Sequence, residues 1–236
     1  MSQSAFAQSA PFLNYLAEWQ ANLPEIALKD IVGDDPQKAA IFSVDVTNGF
    51  CYEGNLASPR VKGIIDPIVK LFRQAYGAGV RNFVLIQDTH EPEAVEFGQF
   101  PPHCVRGTKE SQAVPEIQSL PFFSEMVTLE KNSISTSLDT GMDAWLESHP
   151  EVDAFIAVGD CTDLCTYQMA MDLRLKANAR QIRRRVIVPA DAVDTYDMPV
   201  EAARSLGAMP HDADLLHAIF LYHMALNGIE VVKCIR

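Results

Sequence analysis

The sequence predicts an α/β fold: a doubly wound, mainly parallel six-stranded sheet with helices on both faces, a Rossmann-like three-layer sandwich. Two observations lead there. Short apolar, β-branched runs alternate with segments whose apolar residues recur at helical spacing, the pattern of a parallel sheet covered on both sides. Hydrophobic residues make up 48% and charged residues 21% of the 236, the usage of an ordinary globular chain rather than a disordered one. Right-handed crossovers then leave few ways to thread the strands.

In chain order, residues 1–9 are small and polar and read as loose. Phe12, Leu13, Leu16 and Trp19 follow at helical spacing and predict an N-terminal helix packed on the body. Residues 1–35 read as an N-terminal extension and 36–236 as a single domain. The six strands are predicted at Ala40–Val46, Phe83–Gln87, Met126–Glu130, Ala154–Gly159, Arg185–Pro189 and Ile229–Cys234. The first helical pattern runs through Ile64, Ile65, Ile68, Leu71, Phe72 and Ala75 to the glycines at 77 and 79. Others cover roughly 139–148, 163–177, 198–206 and 212–226, the last stopped by Asn227–Gly228. Residues 89–125 fit neither pattern. A loop that long inside a compact domain is usually functional or disordered, and its two histidines, several carboxylates and Pro-Pro pair favour function.

The charge balance of 19 basic against 31 acidic residues, −12 net, argues against nucleic acid or an anionic membrane as a partner held by bulk electrostatics. No apolar run approaches the ~18 residues of a membrane span. Five scattered cysteines do not make a disulfide framework. The expectation is a soluble, cytoplasmic protein and a homo-oligomer.

Four polar residues fall at the carboxyl ends of predicted strands: Asp45, Asp88, Lys131 and, just beyond the fourth, Cys165. Ligand sites of open parallel sheets form outside those ends. In the first turn of a helix, with Asp163 or Thr162 as its cap, a Cys165 thiolate would gain from the unpaired N–H groups and the helix dipole. Taken alone, Cys165 would be a small core residue, Asp45 a turn cap, and Lys131 a solvated cation. Four such residues on consecutive strands suggest a nucleophile, a base, a cation and a metal ligand. Asp88 and His90, two apart on an extended segment, project to one side, and with Glu96 and His103 they are suitable ligands for a divalent metal.

In this order, the residues resemble those of the isochorismatase-like cysteine hydrolases, and among them the nicotinamidase branch. The resemblance runs from about residue 40 to the C-terminus. It rests on Asp45 with Phe50 five residues on, on Asp88-Thr-His90, on FPPHCVRGT at 100–108, on Lys131, and on GDCTDLC at 159–165. It implies a catalytic triad of Asp45, Lys131 and Cys165, and metal ligation by Asp88, His90 and His103. Glu96, seven residues before His103, would be the fourth ligand. The metal would be zinc, with iron or manganese as alternatives. Phe50 and Phe100 would flank an aromatic substrate. A cis peptide at Asp160–Cys161 would turn backbone N–H groups, that of Cys161 included, into an oxyanion hole.

The implied reaction is hydrolysis of nicotinamide to nicotinate and ammonia through a Cys165 thioester, a step of NAD salvage. Two features depart from the family: Asp160 and Cys161 stand where small or apolar residues are usual, and Asn132 where glycine often follows the lysine. An aspartate beside the oxyanion hole would oppose negative charge unless it points away. The rivals are an amidase of the same superfamily acting on a carbamoyl or ureido compound, and a non-catalytic metal-binding or partner-binding member of the fold. An isochorismatase proper fits less well, since vinyl-ether hydrolysis needs no thiolate. A Cys161–Cys165 disulfide would be a redox alternative that leaves Asp45 and Lys131 without a role. The remaining histidines and Cys51, Cys104 and Cys234 read as structural or surface residues.

Overall fold

The computed structural model describes residues 8–236; most of the segment expected to be loose lies outside them. Helix α1 (Ala10–Ala21) packs on α10 (Ala213–Leu226) as the N-terminal periodicity predicts, with Trp19 and Phe12 edge-on to Tyr222 and Leu16 buried. Phe12 and Leu13 stay largely exposed. The chain then threads α2 (Leu28–Val32) under the last residues of the chain, where Ile26 bridges Ile235. Leu28, Ile31 and Val32 join the main core.

Strands β1 (Ala39–Val44), β2 (Asn82–Asp88), β3 (Val127–Lys131), β4 (Ala154–Asp160), β5 (Arg185–Pro189), β6 (Val193–Asp194) and β7 (Glu230–Val232) form one sheet, all pairs parallel. The order is β3-β2-β1-β4-β5-β7, with β6 paired to β4. The six predicted strands are present, and β6 is an addition. With two residues it has no period to read. It pairs Val193 and Asp194 with Gly159 and Asp160, prolonging the sheet at the carboxyl end of β4.

Every residue of β1 and β4 is buried, as central parallel strands require. Successive residues alternate between two cores. Ile41 and Ile156 face the core shared with α4 (Pro59–Gly63) and α5 (Ile65–Gly77), whereas Phe42 and Phe155 face that of α7 (Met142–Ser148), α8 (Cys165–Ala179) and α10. The remaining helices, α3 (Asn48–Cys51), α6 (Pro115–Gln118) and α9 (Val200–Leu206), are short and belong to connections. Residues 89–125 hold little regular structure, as expected.

The chain leaves β1 towards β3 on one side and returns through β4 on the other, so the strand order reverses between β1 and β4. That switch point opens a crevice outside the strand ends. The two strands close tightly there. Gly159 has φ +117, and a Cβ on it would lie 2.0 Å from the Val44 carbonyl oxygen, so no larger residue fits.

Candidate active site

Asp45, the residue after β1, has φ 58, a left-handed conformation that aspartate adopts more readily than most residues. Its N–H donates to the Ile86 carbonyl, and its Oδ1 accepts from the Asp88 N–H at 2.7 Å. The carboxylate is thereby fixed over the end of β2. Lys131 closes β3 opposite Asp88. Sequence reasoning left a lone lysine here solvated, but the side chain is fully buried. The reason is its company: Nζ lies 2.5 Å from Asp88 Oδ1, 2.8 Å from Asp45 Oδ2, 3.2 Å from the Ser133 carbonyl and 3.4 Å from Cys165 Sγ. Four acceptors surround three N–H groups and stand in for the water that burial strips from the ammonium.

Cys165 is the first residue of α8. Neither expected cap acts as one. Leu164 takes the N-cap position without a side-chain bond, while Asp163 pairs with His211 at 2.7 Å and Thr162 with the His217 ring at 2.9 Å. Both side chains anchor the nucleophile loop to the segment before α10 and to α10 itself. The peptide Asp160–Cys161 is cis, and no backbone hydrogen bond among the described residues uses the N–H of Cys161 or Cys165. All five cysteines are free thiols.

Burial works against the stabilisation that a helix start offers a thiolate. Burial pushes the Cys165 thiol well up, and the Asp45 and Asp88 charges add to this, with only Lys131 opposing. Burial, with the Asp88 charge adding, raises Asp45 to about 6 against the pull of Lys131. Asp88 goes the other way: burial is outweighed by Lys131, His103 and His90, which hold it well below the carboxylate range. Near neutrality the resting pair is therefore a thiol beside an ionised, weakly basic carboxylate. Oxygens of Asp45 and Asp88 and the Cys165 sulfur lie within 4.8 Å of one another, and Lys131 Nζ already serves as the cation among them.

Asp88 also faces a second cluster. His90 Nε2 is 3.4 Å from Asp88 Oδ1, His103 Nε2 is 3.6 Å from Oδ2, and the two ring nitrogens are 3.1 Å apart. The other face of each ring fixes its tautomer. His103 Nδ1 meets the Pro101 carbonyl at 2.8 Å, which can only accept. His90 Nδ1 meets Asn132 Oδ1 at 3.0 Å, an oxygen that also accepts from the Glu91 N–H. Both Nδ1 atoms therefore donate, and both Nε2 atoms are aimed at each other and at a buried carboxylate. That donor set calls for a positive charge and suits a divalent cation. Glu96, on the short turn 95–98, lines the same cavity but lies outside this tight group of three.

The cavity joins the two clusters. Asp45, Cys165, Asp160 and Cys161 line it together with Asp88, His103 and Glu96, and Phe50 and Phe100 share the wall. Phe50 and Phe100 both pack edge-on to His103. Gly49 sets this wall, since a Cβ on it would meet Cys104 Sγ at 2.6 Å; Cys104, read as a bystander, is the buried partner of that approach. Sequence reasoning missed Leu56, Val61, Ile134, Leu164 and Tyr196, which complete the lining, and Phe97, whose ring packs on both histidines. Apolar residues on separate loops carry no signal for a shared wall. Asn132 was noticed only as a departure; its carbonyl oxygen explains why a side chain stands there.

Residues 39–214 match the isochorismatase domain family. The chain is 27% identical over 207 residues to nicotinamidase 1 of Arabidopsis thaliana, covering 80% of this chain and 83% of that one. Its fold is similar to N-carbamoylsarcosine amidase from Thermoplasma acidophilum (TM-score 0.58, 26% identity, 75% of this chain and 97% of that one). It is also similar to a nicotinamidase from Bacillus subtilis (TM-score 0.65, 22% identity, 83% and 99%). With the domain match covering about three quarters of its length, the chain belongs to the isochorismatase family and is a hydrolase of that family.

Proposed function

We propose that the protein hydrolyses nicotinamide to nicotinate and ammonia through a Cys165 thioester. The observation that carries this reading is one cavity in which Asp88 is shared between a buried Asp45–Lys131–Cys165 cluster and a pair of converging histidines. A carboxamide carbon at Cys165 and a ring nitrogen near His90 and His103 would span the two clusters.

Asp45 takes the thiol proton as Cys165 attacks the carboxamide carbon. Its Oδ2 is ion-paired to Lys131 yet makes no directed hydrogen bond, which leaves an acceptor for that proton. Lys131 stabilises the thiolate as it forms, and the free N–H groups of Cys161 and Cys165 receive the oxyanion. Asp45 returns the proton to departing ammonia and then activates the water that cleaves the acyl-enzyme. Asp88, His90 and His103, with Glu96 as the fourth ligand, would hold a divalent metal, zinc before iron or manganese on donor type, whose role when bound is to orient the pyridine nitrogen. Phe50 and Phe100 flank the ring.

The reading implies a cytoplasmic enzyme of NAD salvage; five free thiols suit a reducing compartment, and no helix among the described residues is long and apolar enough to cross a membrane. A homo-oligomer is part of the same proposal. Purified protein incubated with nicotinamide should release ammonia and nicotinate in equal amounts. No release, with hydrolysis of a carbamoyl or ureido compound instead, would replace this substrate by the runner-up.

A further inference from the structure

Asp160 has no part in the mechanism above, yet it is the most anomalous residue in the cavity. It is 1% exposed. Its Oδ2 accepts only a thiol, Cys161 Sγ at 3.5 Å, and its Oδ1 has no hydrogen-bond partner at all. Lys131 does not serve it, since that ammonium is already saturated by Asp45, Asp88, Cys165 and the Ser133 carbonyl. A buried carboxyl oxygen left unpaired is destabilising, and native proteins retain such groups where something else completes them.

Its place in the fold says what that is. Asp160 is the last residue of β4, and by strand alternation it shares a face with Ile156 and Val158, the face that packs with Phe50 and Val61. It lines the cavity with both of those residues and with Cys165. It also immediately precedes Cys161, whose N–H is proposed to hold the oxyanion. A group that met Asp160 would therefore sit next to the reacting carbon. Phe50, Leu56, Val61 and Leu164 make much of the cavity wall apolar, and Tyr196, which also lines it, is not hydrogen-bonded to Asp160. Burial, with the Asp45 charge adding, raises the Asp160 carboxyl well above the ordinary range, which lessens the repulsion a carboxylate would exert on the oxyanion.

We propose that Asp160 is a specificity-determining residue: the preferred substrate is an aromatic amide carrying a second hydrogen-bonding group, an amino or hydroxyl substituent, on the ring atom beside the carboxamide. This rests on the amidase reading. Asp160 Oδ1 accepts from that substituent, and the apolar wall excludes water from the pair.

The test compares nicotinamide with 2-aminonicotinamide, which differ by one amino group beside the carboxamide. Ammonia release is followed with the native enzyme, Asp160→Val and Asp160→Asn. The native enzyme should favour the amino compound in kcat/KM by about tenfold or more. Asp160→Val should lose or reverse that preference through KM, while Asp160→Asn, which keeps an acceptor, should retain part of it. Asp160→Val should also melt no lower than the native protein, because it removes an unpaired buried polar group; a structural role would lower the melting point instead. A ratio of kcat/KM values that Asp160→Val leaves unchanged overturns the proposal. If neither amide is hydrolysed, the nicotinamidase reading fails, and calorimetric binding of the same pair to Cys165→Ala with and without Asp160→Val decides the matter. Discrimination that disappears with Asp160→Val sustains the role of Asp160; equal binding of the two amides, or none, refutes it.

Discussion

Replacing Lys131 by methionine keeps most of the buried stem and removes only the charge. In the native fold its ammonium compensates two carboxylates, Asp45 and Asp88, all three being 2% exposed or less. Without it the two carboxylates are left buried beside each other, joined only by the bond from the Asp88 backbone N–H to Asp45 Oδ1. Breaking a buried ion pair by removing one partner costs about 3–5 kcal/mol, which for a domain of this size is a fall of about 6–20 °C in Tm. This is a larger loss than a solvated lysine at a strand end would suggest. The pH dependence identifies the cause. Asp88 is held low in the native fold, so its contribution to stability is present above the ordinary carboxylate range and is lost only as pH falls through its folded value. Asp45 is raised to about 6, so its ionisation opposes folding, increasingly as pH rises from about 4 to about 6. Removing Lys131 raises both groups. The deficit of Lys131→Met should therefore be largest at pH 8 and shrink towards pH 5, where the carboxyls take up protons. Thermal unfolding of both proteins across that range, after chelation so that no metal replaces the ammonium, measures it. Adding Asp45→Asn to Lys131→Met should recover part of the loss at pH 8. A deficit below about 1 kcal/mol, or one independent of pH, would refute the account of a buried cation shared by two carboxylates.

Turnover of nicotinamide should fall as pH drops through about 6, because Asp45 must be ionised to take the thiol proton; Asp45→Asn should lower kcat by orders of magnitude at every pH, and a flat kcat/KM profile between pH 5 and 7 would contradict it. Cys165→Ala should abolish hydrolysis, whereas Cys161→Ala, whose proposed contribution is a backbone N–H, should retain most of it; equal losses in an ammonia-release assay would favour a disulfide between the two. Elemental analysis should find about one metal per chain, lost in His90→Ala and His103→Ala and held less tightly in Glu96→Ala. Asn132→Ala, which frees the His90 ring to rotate, should weaken metal binding by about 10–100-fold, read by competition with a chelator; unchanged affinity would leave Asn132 without an orienting role.

Much of this molecule is legible along the chain because the signals are local. An apolar run such as 154–159 states that a strand is buried on both faces, and the spacing of Ile65, Ile68, Leu71, Phe72 and Ala75 states which helical face is buried. The strand-end placing of Asp45, Asp88 and Lys131 and the helix-start placing of Cys165 follow from the same periodicities, together with the family resemblance that also located the cis peptide. Other features depend on what lies opposite in space. Strand order brings residues 45, 88, 131 and 165 to one point, and only that encounter makes Lys131 a buried cation, while burial at the same point pushes the Cys165 thiol up. The two-residue β6 is too short for a period, and the union of Ile26 with Ile235 joins chain ends that share no local pattern. Asn132 and Asp160 show the limit most directly. Each is visible in the sequence as a departure, but a side chain's meaning is set by its partners: Asn132 found a histidine ring, and Asp160 Oδ1 found none.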